Sequence, residues 1–214
     1  YNIPEPSSNG VIWITSGLDL SPAFISIDGS VFTNWQNYNL TINGGWNGDA
    51  LGTMNSTSTI GRPIEIVAWS GNVSVNNISV NNTTSSGLTI VTSGEVTLNN
   101  LSFDSNNGTG LSVDSGGAVI AQDITATNNG VGGVDGFGAE FIADNLTISG
   151  TNEFSDNLES GISAIIGGDI TLSNLVANGN GAGGFGNGAE IVSTSGAVDL
   201  SGLNQFNDNN NTGL

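Results

Sequence analysis

The chain has 214 residues, with 33 Gly, 4 Pro, no Cys and no His; one Arg stands against 19 Asp plus Glu, for a net charge of −18. With no Lys to neutralise phosphates, this balance argues against nucleic-acid binding and against docking on an anionic membrane. The lack of Cys removes disulfides and thiolate metal sites, and no run is long and apolar enough to span a bilayer as a helix.

The N-terminal YNIPEPSSNG (1–10) carries two Pro and no strand alternation, and reads as an arm or linker. VIWIT (11–15), AFISID (23–28) and NLTINGGW (39–46) are less regular but still look like strands. Residues 1–62 are therefore expected to form irregular coils or a cap. Trp13, Trp35, Trp46 and Trp69 are expected to fill a wider base of the core, with a carbohydrate-stacking aromatic surface as the alternative. Arg62, the single basic side chain, falls in a GRP turn where a solvated position is expected.

From residue 63 the pattern becomes regular. Leu88, Ile90, Val96, Leu98, Leu101 and Phe103 set a frame. The preceding copy is Ile64, Ile66, Val73, Val75, Ile78 and Val80, and the following copy is Leu111, Val113, Val119, Ala121, Ile124 and Ala126. Three more copies follow: Ala139, Phe141, Leu146, Ile148 and Phe154; then Ile162, Ala164, Ile170, Leu172, Leu175 and Ala177; then Ala189, Ile191, Val198, Leu200, Leu203 and Phe206. Copies start at 64, 88, 111, 139, 162, 189 and 214, a period of 23 to 28 residues. The extra length collects in Gly-rich stretches such as GVGGVDG (130–136) and GAGGFG (181–186), which a stacked coil can bulge outward.

A second feature shares the frame. Asn106, Asn129, Asn157, Asn180 and Asn209 each stand three residues past the last apolar position, with Thr83 in the first copy. Stacked coils would bring these amides into one hydrogen-bonded ladder. Asn77, Asn100, Asp123 and Asn174 mark the turn between the second and third segments. Three short strands per period predict an all-β parallel β-helix, a β-solenoid whose regular coils run over 63–214 in one continuous domain with 1–62. Six complete copies at ~4.8 Å per coil span roughly 30 Å. Gly213–Leu214 begin a further copy, so the reading expects an uncapped coil. That coil would be continued by more repeats, or by the N-terminal region of a second copy through Gly213, Leu214, Tyr1 and Ile3.

The phrases NLTINGGW, VSVNNISV, GLTIVTSGEVTLNNLSFDSNNGTG and GDITLSNLVANGNG resemble the coils of right-handed parallel β-helix proteins of the pectin-lyase-like fold. Over about residues 39–214 they look most like filamentous-haemagglutinin-type and other repeat-containing bacterial surface proteins. The resemblance implies a right-handed solenoid. Its functional range includes lyases, hydrolases, adhesins and fibres, so the fold alone does not choose among them.

Lyases of this class use a basic residue as proton abstractor, usually with calcium, and this chain has no Lys to offer. Hydrolysis needs converging carboxylates. Glu140 and Glu190 share a frame position with Ser163 between them, and Asp144 and Asp169 are near neighbours in the frame, but no catalytic dyad emerges. Calcium suits a chain with only oxygen ligands, with Asp135 as the candidate, yet tandem calcium-binding nonapeptides are absent. The expectation is a non-enzymatic extracellular bacterial protein without a required cofactor, part of a surface fibre or adhesin. Its partners would be itself, continuing repeats or cell-surface glycans. A polysaccharide-binding or polysaccharide-degrading β-helix is the alternative.

Overall fold

The computed structural model describes residues 8–15, 18–19, 24–49, 52–54, 56–133 and 135–214. None of these is helical, and the paired strands all run parallel. The chain winds into a β-solenoid of about six turns. The first segments of successive coils form a seven-stranded sheet from Ile25–Asp28 to Ala189–Ser193. The second and third segments share one twelve-stranded sheet.

The three segments per period are present, but the corner between the second and third is shallower than a strand break. Val73–Asn81, Val96–Asp104 and Ala118–Thr127 each run through it as one strand. They bend at Asn77, Asn100 and Asp123, whose φ values of 57°, 53° and 56° are left-handed. Asn and Asp tolerate that region better than other side chains, which explains the polar residues at this turn.

Register between coils is residue for residue. One inward column reads Ile66, Ile90, Val113, Phe141, Ala164 and Ile191. At the end of the third segment the column reads Val80, Phe103, Ala126, Phe154 and Ala177, all buried. Phe and Ala alternate there, so each ring has room against the small residue of the adjoining coil, which is how a stack of fixed spacing fills its volume. A glycine precedes the first segment in every regular coil but the first, where Pro63 stands. A Cβ at Gly110, Gly138, Gly161 or Gly188 would stand 2.7 or 2.8 Å from the ladder amide Nδ2 of the adjoining coil, closer than any real contact. Glycine is needed at these positions for close approach rather than for φ.

A longer period overlies the coil. The coils starting at 111 and 162 each end in Ala and a glycine loop. Those starting at 139 and 189 share Gly-Ala-Glu at their start and Ser-Gly-x-Asn-x-Phe later, at 149–154 and 201–206. The second motif is a wider corner turning on Gly150 and Gly202, with φ of 80° and 73°. It sends an amide inward where other coils place an aliphatic residue. Asn152 is fully buried, its Oδ1 accepting from the Ile124 N–H at 3.0 Å while its Nδ2 donates to Ser149 O at 2.9 Å. Asn204 repeats this with the Leu175 N–H at 2.9 Å and Ser201 O at 3.0 Å. The expectation that Leu203 points into the core is therefore corrected. Asn204 takes that position, and Leu203 sits in the corner, 82 % exposed.

The N-terminal strands Ile25–Asp28, Leu40–Trp46 and Ser58–Ile60 pair in register on the first regular coil, and Gly10–Thr15 pairs on Leu40–Trp46. The irregularity lies in the connections. Trp69 is buried, its Nε1 donating to Tyr38 O at 2.9 Å, and Trp35 packs on the core and stacks on Phe32 at 5.4 Å. Trp46 is half-buried and Trp13 is exposed, so two of the four indoles close the base of the core. Arg62 is half-buried rather than solvated.

Candidate functional site

The ladder is built at the second corner of each coil. Residues Asn82, Ser105, Asn128, Asp156, Gly179 and Asp208 all have left-handed φ, between 55° and 68°, and turn the next side chain inward. In Asn106, Asn129, Asn157 and Asn180, Nδ2 donates to Oδ1 of the following ladder residue at 3.0 Å, ending on Asn209. Each of the five also donates from Nδ2 to a backbone carbonyl, Val80, Phe103, Ala126, Phe154 and Ala177 in turn. The backbone N–H of Asn106, Asn129, Asn157 and Asn180 goes to the same Oδ1 as the side chain. Thr83 begins the column by donating its N–H to Asn106 Oδ1 at 3.1 Å. Buried polar groups are thereby paired along the whole stack. From Asn106 to Asn180 the ladder is buried and its polar groups are spent on stacking.

A second arrangement does face solvent. The loops 130–136 and 181–186 leave the stack on alternate coils and flank the tight turn at Leu158–Glu159 of the coil between them. Leu158 N–H donates to Asn129 O at 2.9 Å, Glu159 N–H to Gly136 O at 3.1 Å, and Gly183 N–H to Leu158 O at 2.9 Å. Both loops turn at paired glycines with left-handed φ, Gly130 with Gly133 and Gly181 with Gly184. Beside the second loop lies an open groove of about 410 Å³ lined by Phe137, Glu159, Phe185, Asn187, Glu190 and Asn211. Phe185 stands at its rim, 85 % exposed.

Carboxylates crowd this side. Burial pushes the Glu140 carboxyl above the ordinary glutamate value, and the charges of Asp135 and Glu159 push it further, against a hydrogen bond from Thr109. Glu159 is raised by burial and then by Asp135. Glu140, Ser163 and Glu190 are in register on successive strands, so the two glutamates stand roughly 10 Å apart along the stack. Asp144 and Asp169 are near neighbours on successive turns, one residue out of register. Asp169 N–H donates to Asn145 Oδ1 at 2.8 Å, and Asp144 aligns with the glycines of the next turn.

Asp135 is exposed on the first loop, its carbonyl accepting from the Thr109 hydroxyl at 3.2 Å. Among the described residues no group of three or more His, Cys, Asp or Glu could hold a metal ion. Thr212 and Gly213 lie on the start of the preceding coil, their carbonyls accepting from Gly188 and Ala189 at 2.8 and 2.9 Å, and Leu214 is exposed. Tyr1 and Ile3, the other expected assembly residues, lie outside the described residues.

Sequence reasoning missed the inward amides Asn152 and Asn204 and the loop groove. The signal for both was the recurrence of Gly-Ala-Glu and Ser-Gly-x-Asn-x-Phe at twice the coil period. No family model, no curated protein and no solved structure matches the chain.

Proposed function

We propose that this chain is a non-enzymatic β-solenoid section of an extracellular bacterial surface fibre or adhesin, built like the right-handed β-helices of filamentous-haemagglutinin type. The observation that carries this reading is the unbroken ladder from Asn106 to Asn209, beside columns of alternating Phe and Ala. Both features serve stacking. Their product is a stiff rod with a strongly acidic exterior, which keeps neighbouring rods apart. Ile191, Leu200 and Phe206 are half-buried, whereas the same columns are buried in the earlier coils. The fibre reading places a further coil on them, supplied by continuing repeats or by a second copy stacked head to tail.

Negative-stain electron microscopy of the native material, with and without a calcium chelator, tests this. Uniform filaments or long rods with a constant axial repeat are expected. Short single particles at high concentration would overturn the self-assembling form.

A second reading is favoured by the groove beside Phe185. An exposed aromatic ring among Asn and Glu side chains suits stacking and hydrogen bonding to a sugar, so we propose polysaccharide binding as the alternative function. Glycan-array binding that is lost in Phe185→Ala supports it, and no binding to any glycan removes it.

A further inference from the structure

The outward face of the seven-stranded sheet carries an apolar stripe that the fold does not use. Ile142, Ile165 and Val192 lie in register on three successive strands, each pointing away from the core. They are 51, 54 and 45 % exposed. Outward positions on the other sheet are mostly polar: one column reads Ser74, Thr97, Ile120, Thr147, Thr171 and Asp199, with a single isolated aliphatic, and the next runs through Asn99, Gln122 and Ser149. Hydroxyls there keep the surface wet. Three adjacent half-exposed aliphatics therefore break the chain's own pattern, and clustered exposed apolar surface rimmed by polar groups marks interaction sites.

The rim is acidic on both sides. Glu140 and Glu190 occupy the neighbouring outward column, with Glu159 and Asp135 beyond Glu140. Exposed Asp144 and Asp169 stand in the turns that follow the strands, and Asp114 is in register next to Ile142. The chain's single cation, Arg62, precedes the strand Ile64–Trp69, three strands away from Ala139–Ala143. The charge on Glu140 is thus opposed by its neighbours, a cost that a positive group brought to this rim would relieve.

We infer that this face docks a cationic amphipathic segment of a different protein, whose aliphatic side chains cover Ile142, Ile165 and Val192 while its Lys or Arg residues meet Glu140 and Glu190. A second copy of this chain is the wrong occupant, because it brings a net charge of −18 and one Arg. The inference goes beyond the fibre reading and does not depend on it, since it uses the flank of the solenoid and not its coil ends.

Calorimetric titration of the whole chain with a Leu–Lys amphipathic peptide tests the idea. The comparators are a Ser–Lys peptide of equal charge and a Leu–Glu peptide of equal hydrophobicity. At physiological salt, where screening acts over about 8 Å, the Leu–Lys peptide is expected to bind about tenfold or more tightly than Ser–Lys, and Leu–Glu not at all. Combined Ile142→Thr, Ile165→Thr and Val192→Thr should remove the advantage of Leu over Ser and leave Ser–Lys binding unchanged. Thr is the ordinary outward residue of this solenoid, and thermal melting checks that the variant folds.

A readout on the unmodified chain stands beside it. The chain has no Lys, so with a C-terminally amidated Leu–Lys peptide, which carries no carboxylate, every carbodiimide cross-link between the two joins a carboxylate of the chain to a peptide amine. Cross-links concentrated at Glu140 and Glu190 are expected. Equal affinity for the two Lys peptides, or cross-links spread over all acidic residues, would reduce the effect to bulk charge and overturn the proposal.

Discussion

Asn129 and Asn157 are joined by an Nδ2 to Oδ1 hydrogen bond of 3.0 Å, the same length as that between Asn106 and Asn129, although 28 residues separate the first pair and 23 the second. The additional five residues bulge out as the loop at 130–136 and leave the stack unchanged. Ladder and loop are therefore independent, and each can be altered alone.

Asn157→Ala removes both hydrogen bonds its Oδ1 accepts from Asn129 and both that its Nδ2 donates, to Ala126 O and Asn180 Oδ1. The partners stay buried. A loss of about 3 kcal/mol is expected in urea unfolding, since unsatisfied buried donors cost about 1–3 kcal/mol each and relaxation recovers part. Asn209→Ala should cost less, because Asn209 is only half-buried.

Gly138→Ala places a methyl group 2.7 Å from Asn157 Nδ2 and 2.5 Å from Gly161 O. The ladder rung must shift. An overpacking cost of about 1–3 kcal/mol is expected, read as a lower midpoint in thermal melting.

Asn152→Leu adds apolar volume at a position where neighbouring coils hold Ile124 and Leu175. It is nonetheless expected to destabilise by about 1–3 kcal/mol, because the buried Ile124 N–H loses its acceptor. A neutral or stabilising result in urea unfolding would show that the wider corner at Gly150 can re-form around an aliphatic side chain.

Removal of residues 131–135 shortens the spacing from 28 to 23 and restores the period of the neighbouring coils. The change in stability should stay within about 1 kcal/mol, since loop closure depends weakly on length. A large loss would mean that the loop supports the stack.

Glu140 sets a pH dependence of known sign. Its folded value lies above the ordinary 4.5. The wild-type protein therefore gains stability as pH falls through the raised value, and the gain is complete below 4.5. Glu140→Gln should melt higher than wild type at neutral pH and equal it in acid. Asp104 acts in the opposite direction. Burial raises it, but hydrogen bonds from Asn128, Thr127 and Ser105 outweigh burial and hold it below 3.8. Its contribution is present above 3.8 and is lost as pH falls through the depressed value, so Asp104→Asn should be less stable than wild type at neutral pH only.

The fold was legible because its cause is periodic. Alternation at Leu88 and Ile90, repeated at Leu111 and Val113, dictates an inward face, and stacking follows because no single coil can bury that face alone. Asn at a constant offset from the last apolar residue likewise predicts a ladder, since any solenoid must satisfy the amides at its corners. These are properties of spacing, and spacing is written in the chain.

Other features required the coils to be set side by side. Leu203 looked inward by hydrophobicity, yet the corner at Gly202 holds one more residue and delivers Asn204 to the core instead. Asp144 and Asp169 are near neighbours on successive turns, but hydrogen-bond register sets Asn145, not Asp144, against Asp169. The apolar stripe of Ile142, Ile165 and Val192 is dispersed over 51 residues of sequence and becomes one surface only through parallel pairing. Periodicity decided which residues face in. Which outward residues meet one another was decided by the register of the stack, because turn lengths shift it one residue at a time.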